Sequence, residues 1–219
     1  MTKRSRALLI IAALLVAAVG LVWLKRDWFM ARAYMLTLES EARVEELQIE
    51  RVIEVLGIGP DQRIADIGAG TGVFTRPFAR AATGNGVVYA VDVNRELLKI
   101  IARNADRLGL ANIRTVAAAE DDPLIPEPVD LIFICDTLHH IQNRGSYLET
   151  LRRYLRPSGR LAIIDFDGGF PHVSASMRYE RSELESWMQQ AGYELLQSHQ
   201  FIAGQVFVVY ECASCPGPV

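Results

Sequence analysis

The stretch Arg63-Ile-Ala-Asp-Ile-Gly-Ala-Gly-Thr-Gly72-Val-Phe-Thr75 limits the fold more than any other part of this chain. An apolar run holding one acid, Asp66, passes into three alternating glycines. Phe74, Phe78 and Ala79 then resume at helical spacing. Such a pattern predicts a buried parallel strand that turns into a helix through a corner too crowded for side chains. Glycine there permits positive φ and lets a ligand approach the backbone. The dinucleotide fingerprint is G-x-G-x-x-G, with phosphate held at the helix N-terminus. Gly68, Gly70 and Gly72 are spaced G-x-G-x-G instead, so a pyrophosphate ligand is not the first expectation. A tight corner with no ligand is the plainer alternative.

Length and composition leave room for one domain of ordinary size and a short appendage. The chain has 219 residues, half of them hydrophobic, which supports a core and argues against disorder. A formal charge of −3 gives no electrostatic case for nucleic acid as a main partner. Cysteine is scarce. Cys135 lies in an apolar run, and Cys212 and Cys215 stand near the C-terminus in C-x-x-C spacing. With no second pair to complete a site, a strand-end cysteine and a tail cysteine are expected rather than a zinc or redox centre; no metal site is expected elsewhere.

Residues 1–6 form a basic tail with Lys3, Arg4 and Arg6. Ala7 to Leu24 then runs without a polar side chain. As a helix it spans about 27 Å, close to the hydrocarbon thickness of roughly 30 Å. Trp23, Trp28, Lys25 and Arg26 supply an interfacial rim. A single-pass membrane anchor over 7–24 is expected, with 25–39 as a juxtamembrane linker. Ala18-Val-Gly20 also offers a small-x-small cleavage site, but Leu21-Val-Trp-Leu24 continues the apolar run beyond it. Basic residues flank both ends. The basic tail favours an exported domain, while the charges at both ends leave a cytoplasmic one open.

A helix is predicted from Met30 to Leu56, with Val44, Leu47, Val52, Val55 and Leu56 as its apolar stripe and a solvated acidic face. Strand and helix signals then alternate. Strands are expected at Arg63–Ile67, Val87–Val91, Ile113–Ala117, Val129–Cys135 and Arg160–Ile164. Helices are expected at Val73–Ala82, at Arg95–Leu108 with Asn94 as N-cap and Gly109 as stop, and at Tyr147–Leu155. A capping box at Ser182–Glu185 opens a helix to Ala191. Tyr193–Ile202 and Gln205–Cys212 are joined too closely to be anything but antiparallel. The sum is an α/β fold: a doubly wound, mostly parallel sheet with a C-terminal antiparallel hairpin, over residues 40–212, followed by a tail at 213–219.

Ligands of such sheets sit beyond the carboxyl ends of the strands. Those ends carry Asp66 and the glycine turn, Asp92, the Glu120-Asp121-Asp122 cluster, Asp136 with His139 and His140, and Asp165 with Asp167. Asp92 lies about twenty residues beyond Gly72, where a carboxylate accepts the hydroxyls of a ribose. Its alternative role is a helix N-cap, which Asn94 already fills. His139 and His140 are candidate bases, since imidazole titrates near neutrality. Either one serves equally well as a cap or as packing against Phe166.

Ala65-Asp-Ile-Gly-Ala-Gly-Thr-Gly72 with Val91-Asp92 resembles the first two motifs of class I S-adenosylmethionine-dependent methyltransferases. Strand four with Asp136-Thr-Leu-His-His-Ile141, then Leu155-Arg-Pro-Ser-Gly-Arg160, is similar to their later motifs. The resemblance implies a Rossmann-like seven-stranded sheet with a reversed last strand, and S-adenosyl-L-methionine as cofactor. It implies that Asp66, Gly68, Ala69, Gly70 and Gly72 line the methionine side, that Asp92 holds the ribose, and that Asp136 lies near the methionine end. The acid beside the adenine falls on Asp121. The overall pattern is similar to quinone and sterol methylases, which implies a small or lipid-like acceptor. A silent nucleoside-binding module and a nicotinamide-dependent oxidoreductase are the alternatives; the latter predicts the six-position glycine spacing that is missing here.

Overall fold

The computed structural model describes residues 39–166, 175–212 and 215. The strands are β1 (Arg63–Ile67), β2 (Val87–Asp92), β3 (Ile113–Ala117), β4 (Val129–Cys135), β5 (Leu155–Phe166), β6 (Tyr193–His199) and β7 (Gln205–Cys212). They form one sheet in the order β3-β2-β1-β4-β5-β7-β6. From β3 to β5 all pairings are parallel, while β7 is antiparallel to both β5 and β6. The close β6–β7 connection forces that reversal. The helices are α1 (Glu41–Glu46), α2 (Ile49–Leu56), α3 (Thr75–Ala81), α4 (Arg95–Leu108), α5 (Arg144–Leu151) and α6 (Arg181–Gln190).

Period-two alternation divides the strand side chains between two cores. Ala65, Ile67, Ile132, Ile134, Leu161 and Ile163 meet Leu148 and Leu151 of α5 and Leu184 and Met188 of α6. Ile64, Leu131, Phe133, Ala162 and Ile164 meet Val52 and Leu56 of α2, Phe78 of α3 and Ile101 of α4. Burial on both faces is why β4 reads as an almost unbroken apolar run. Phe133 lies 4.6 Å from Phe74 and 4.9 Å from Phe78, ring centre to ring centre. These contacts fasten α3 against β4 directly behind the glycine turn. Truncating Phe78, which is fully buried, removes about 3–5 kcal/mol.

The strand positions and the hairpin agree with the sequence, and several helix boundaries do not. The single helix expected up to Leu56 is broken, because Gln48 adopts left-handed backbone (φ 45°) and separates α1 from α2. Its side-chain amide donates to the Phe201 carbonyl at 2.6 Å, a tertiary bond that local periodicity cannot reveal. Helix α5 begins at Arg144 and ends at Leu151, and Leu155 already belongs to β5. The capping box is formed by Glu180 and Glu183 and not by Ser182 and Glu185, so α6 starts two residues earlier. Cys212 and Cys215 are joined in a disulfide, correcting the expectation of two separate cysteines. The expected anchor at 7–24 and most of the linker at 25–39 lie outside the described residues. Among the described residues no helix is long and apolar enough to cross a membrane.

Candidate active site

The strand order reverses at β1, whose neighbours are β2 and β4. That switch point opens a crevice beyond the carboxyl ends of β1 and β4. The glycine turn forms its floor, with φ of 71° at Gly68, 56° at Gly70 and 84° at Gly72. A Cβ on Gly68 would lie 2.0 Å from the Thr137 hydroxyl, so only glycine fits beneath the loop that leaves β4. The amides of Gly68 and Ala69 both donate to the Val91 carbonyl, at 2.8 and 3.0 Å, which holds the turn over β2.

Asp66, Gly68, Ala69, Gly70 and Asp136 line the cavity. Asp66 is buried and accepts from the Thr75 hydroxyl at 2.5 Å. Burial pushes its carboxyl up to about 7; Thr75 pulls it down and Asp92 adds repulsion. Asp92 accepts from the Gly70 amide at 2.9 Å and the Asn94 amide at 2.8 Å. Burial raises its pKa and those amides oppose the rise. The Val93 amide also bonds the carboxylate, which stands beside the glycine turn and outside the cavity lining, with acceptor capacity left for a hydroxyl. Asp136 has left-handed backbone (φ 49°) and is gripped by Arg43 and Gln205.

The other predicted residues fall elsewhere. Gly72 does not line the cavity; it packs toward Ile101, so it is a packing glycine. Asp121 is exposed and away from the cavity, and its neighbour Asp122 is occupied by the Tyr154 hydroxyl at 2.6 Å and by Arg153. The loop after β3 thus ties Asp122 to the turn at Arg152–Tyr154 before β5 and places neither Asp121 nor Asp122 in the cavity lining. His139 and His140 stand three and four residues beyond Asp136, outside the cavity lining. The buried His139 ring approaches Asp165 through Nδ1 at 2.8 Å, and its backbone amide donates to the same carboxylate at 3.1 Å. Tyr179 donates to Asp165 at 2.9 Å. His140 is exposed, with its ring 4.2 Å from that of His139; partial desolvation and the neighbouring imidazole both lower its pKa.

Arg43, Thr71, Phe74 and Thr137 also line the cavity and were not anticipated. Thr71 lay inside the motif in plain view. Its hydroxyl is buried and has no hydrogen-bond partner among the described residues. An orphaned hydroxyl in a cavity wall is a group awaiting a ligand.

Residues 65–163 match a methyltransferase domain family. The matched residues run from β1 to β5 and include the glycine turn and most of the cavity at the switch point. The chain is 35% identical over 119 residues to the ubiquinone/menaquinone biosynthesis C-methyltransferase UbiE of Ectopseudomonas mendocina, covering 52% of this chain and 45% of that one. With the protein of the same name from Haemophilus ducreyi it shares 26% over 188 residues, 70% of this chain and 73% of that one. Apart from that longer match, the chain spans about half the length of these curated relatives. A SAM-dependent methyltransferase from Aquifex aeolicus superposes with a TM-score of 0.72 at 25% identity, covering 81% of this chain and 96% of that one.

The residues present fit S-adenosyl-L-methionine. The glycine turn accepts close approach, Asp92 beside it retains capacity for a hydroxyl, the Thr71 hydroxyl lacks a partner among the described residues, and Arg43 and Asp136 offer opposite charges at the same wall. Among the described residues no cluster of His, Cys, Asp or Glu has the geometry of a metal site.

Proposed function

We propose that this chain transfers a methyl group from S-adenosyl-L-methionine to a small, apolar, quinone-like acceptor at a membrane surface. The observation that carries the reading is the cavity at the β1–β4 switch point, walled by the glycine turn, Asp66, Asp136 and the orphaned Thr71 hydroxyl. The cofactor supplies a methyl group already activated on a sulfonium, so the protein's task is to position it and exclude water. The likeness to ubiquinone/menaquinone C-methyltransferases and the apolar stretch at 7–24 support a lipid-like acceptor.

His139 is the proposed base. With its Nδ1–H donated to Asp165, its Nε2 carries the lone pair that takes a proton from the acceptor hydroxyl. Tyr179 and the Phe166 amide, at 2.9 Å each, hold the carboxylate in place. Arg144 fixes the loop by donating to the carbonyls of Leu138 and His139 at 3.2 and 2.8 Å. Methyl transfer from labelled cofactor to a demethylated quinol in lipid vesicles tests the reading. Asp165→Asn is expected to lower kcat by roughly 10²–10⁴-fold and to shift the pH–rate profile. An unchanged rate removes His139 from the mechanism.

Residues 7–24 are proposed to tether the domain, on the cytosolic side where the cofactor is made. A reporter fused after Val219 reads the side directly, and an extracytoplasmic signal contradicts this placement.

A further inference from the structure

Helix α4 commits one face to the core through Leu97, Leu98, Ile101 and Ala105. The opposite face carries Arg95, Lys99, Arg103 and Arg107, every fourth residue and all exposed. That spacing sets the four cations in one row about 18 Å long. Lys99 pairs with Glu96 at 2.6 Å and Arg107 donates to Asn104 at 3.2 Å. Arg95 and Arg103 make no hydrogen bond or ion pair among the described residues. Glu96 and Asp106 are the acids of the helix, and Arg80 on α3 adds a further exposed cation to the same side of the sheet.

Like charges four residues apart repel, so the helix itself gains nothing from this row. A face that serves solubility alone mixes its signs. The acids collect elsewhere: Glu41, Glu45 and Glu46 are exposed on α1, and Glu50 and Glu54 on α2. Leu56 at the end of α2 accepts from Arg160 of β5 at 2.6 Å, whereas α4 packs on β2 and β3. One side of the sheet thus has a positive end and a negative end, in a chain whose formal charge is −3. An anionic surface turns the positive end toward itself.

We propose that the outer face of α4 docks the domain on a bilayer containing anionic phospholipid. Four or more Lys and Arg on one helix face suit such a surface, whose attraction reaches about a Debye length, ~8 Å at physiological salt. A helix lying flat brings the whole row within that distance. Its apolar face stays in the core, so the contact is electrostatic and leaves the helix on the headgroups, not among the acyl chains. A bilayer is favoured over an acidic protein because the apolar run Ala7 to Leu24 delivers the domain to lipid. The row begins at Arg95, just beyond Asp92, so docking also fixes the attitude of the ligand edge to the membrane. From the proposed function, docking takes only the tether at 7–24.

Arginine footprinting of the full chain tests the proposal, in vesicles of phosphatidylcholine alone or mixed with phosphatidylglycerol. Phenylglyoxal, an uncharged reagent, marks accessible arginines, and mass spectrometry reads each one. Arg95 and Arg103 are expected to react at least about fivefold more slowly on the anionic vesicles, with Arg51 on α2 unchanged and the difference lost at high salt. Lys99→Glu combined with Arg107→Glu is expected to abolish that protection. Equal reactivity on the two kinds of vesicle overturns the proposal, as does protection that survives both substitutions. Protection by added polyglutamate on neutral vesicles, with none from anionic lipid, assigns the face to an acidic polypeptide and overturns it too. Flotation of the same samples reads the tether separately. A chain that floats with the anionic vesicles alone overturns the tether and supports the docking face; one that floats with neither overturns both.

Discussion

Asp66 lies at 3% exposure, with the Thr75 hydroxyl as its hydrogen-bonding neighbour and Asp92 adding repulsion. Its carboxyl is pushed up to about 7, against about 3.9 in an unfolded chain. Between these values the folded state holds a proton that the unfolded state has released. Stability contributed by this residue therefore falls as pH rises from about 4 to about 7, by on the order of 4 kcal/mol at most. Asp66→Asn is expected to flatten that slope in urea unfolding measured across this window; a slope unchanged by the substitution contradicts it. Asp66, Asp92 and the glycines were legible because their chemistry is written in local spacing. Arg43 and Asp165 were not singled out as partners of anything. Arg43 sits on what reads as a solvated helix face, and only the break at Gln48 and the packing of α1 turn it toward Asp136. The loop between β3 and β4 follows its own hydrogen bonds, which engage Asp122 and leave Asp121 exposed and outside the cavity lining.

Strand β7 joins two regions with separate roles. Its first residue, Gln205, grips Asp136 at the ligand edge, and its last, Cys212, closes the disulfide with Cys215. The strand is eight residues long, a span of roughly 25 Å from end to end. Disulfide loss should therefore act on stability and leave ligand affinity alone. Closing so short a loop is worth about 2 kcal/mol in the chain-entropy account. Cys215→Ser is expected to lower the unfolding free energy by about that amount with an unchanged Kd for S-adenosylmethionine; a Kd shifted tenfold contradicts the separation. Elements such as β7 were readable from a continuous apolar run bounded by Gly204 and the tail. Helix ends were not, because α1, α5 and α6 take their limits from tertiary hydrogen bonds and from competing caps.

For the whole molecule, the doubly wound order follows from the alternation of strands and helices, and the reversed β7 from the short link before it. The strand order itself required contacts, since nothing in a single strand says which neighbour it takes. The site then emerges where β1 parts from β2 and β4. All of this bears on one claim, that the cavity over Gly68 and Gly70 holds S-adenosylmethionine with its ribose on Asp92. Calorimetric titration of the full chain in detergent measures that claim most directly. The account predicts one site per chain, with affinity lowered at least about tenfold by Asp92→Ala, which strips the hydroxyl acceptor and leaves the Gly70 and Asn94 amides without their carboxylate. No binding by the intact protein, or binding that Asp92→Ala leaves unchanged, contradicts it.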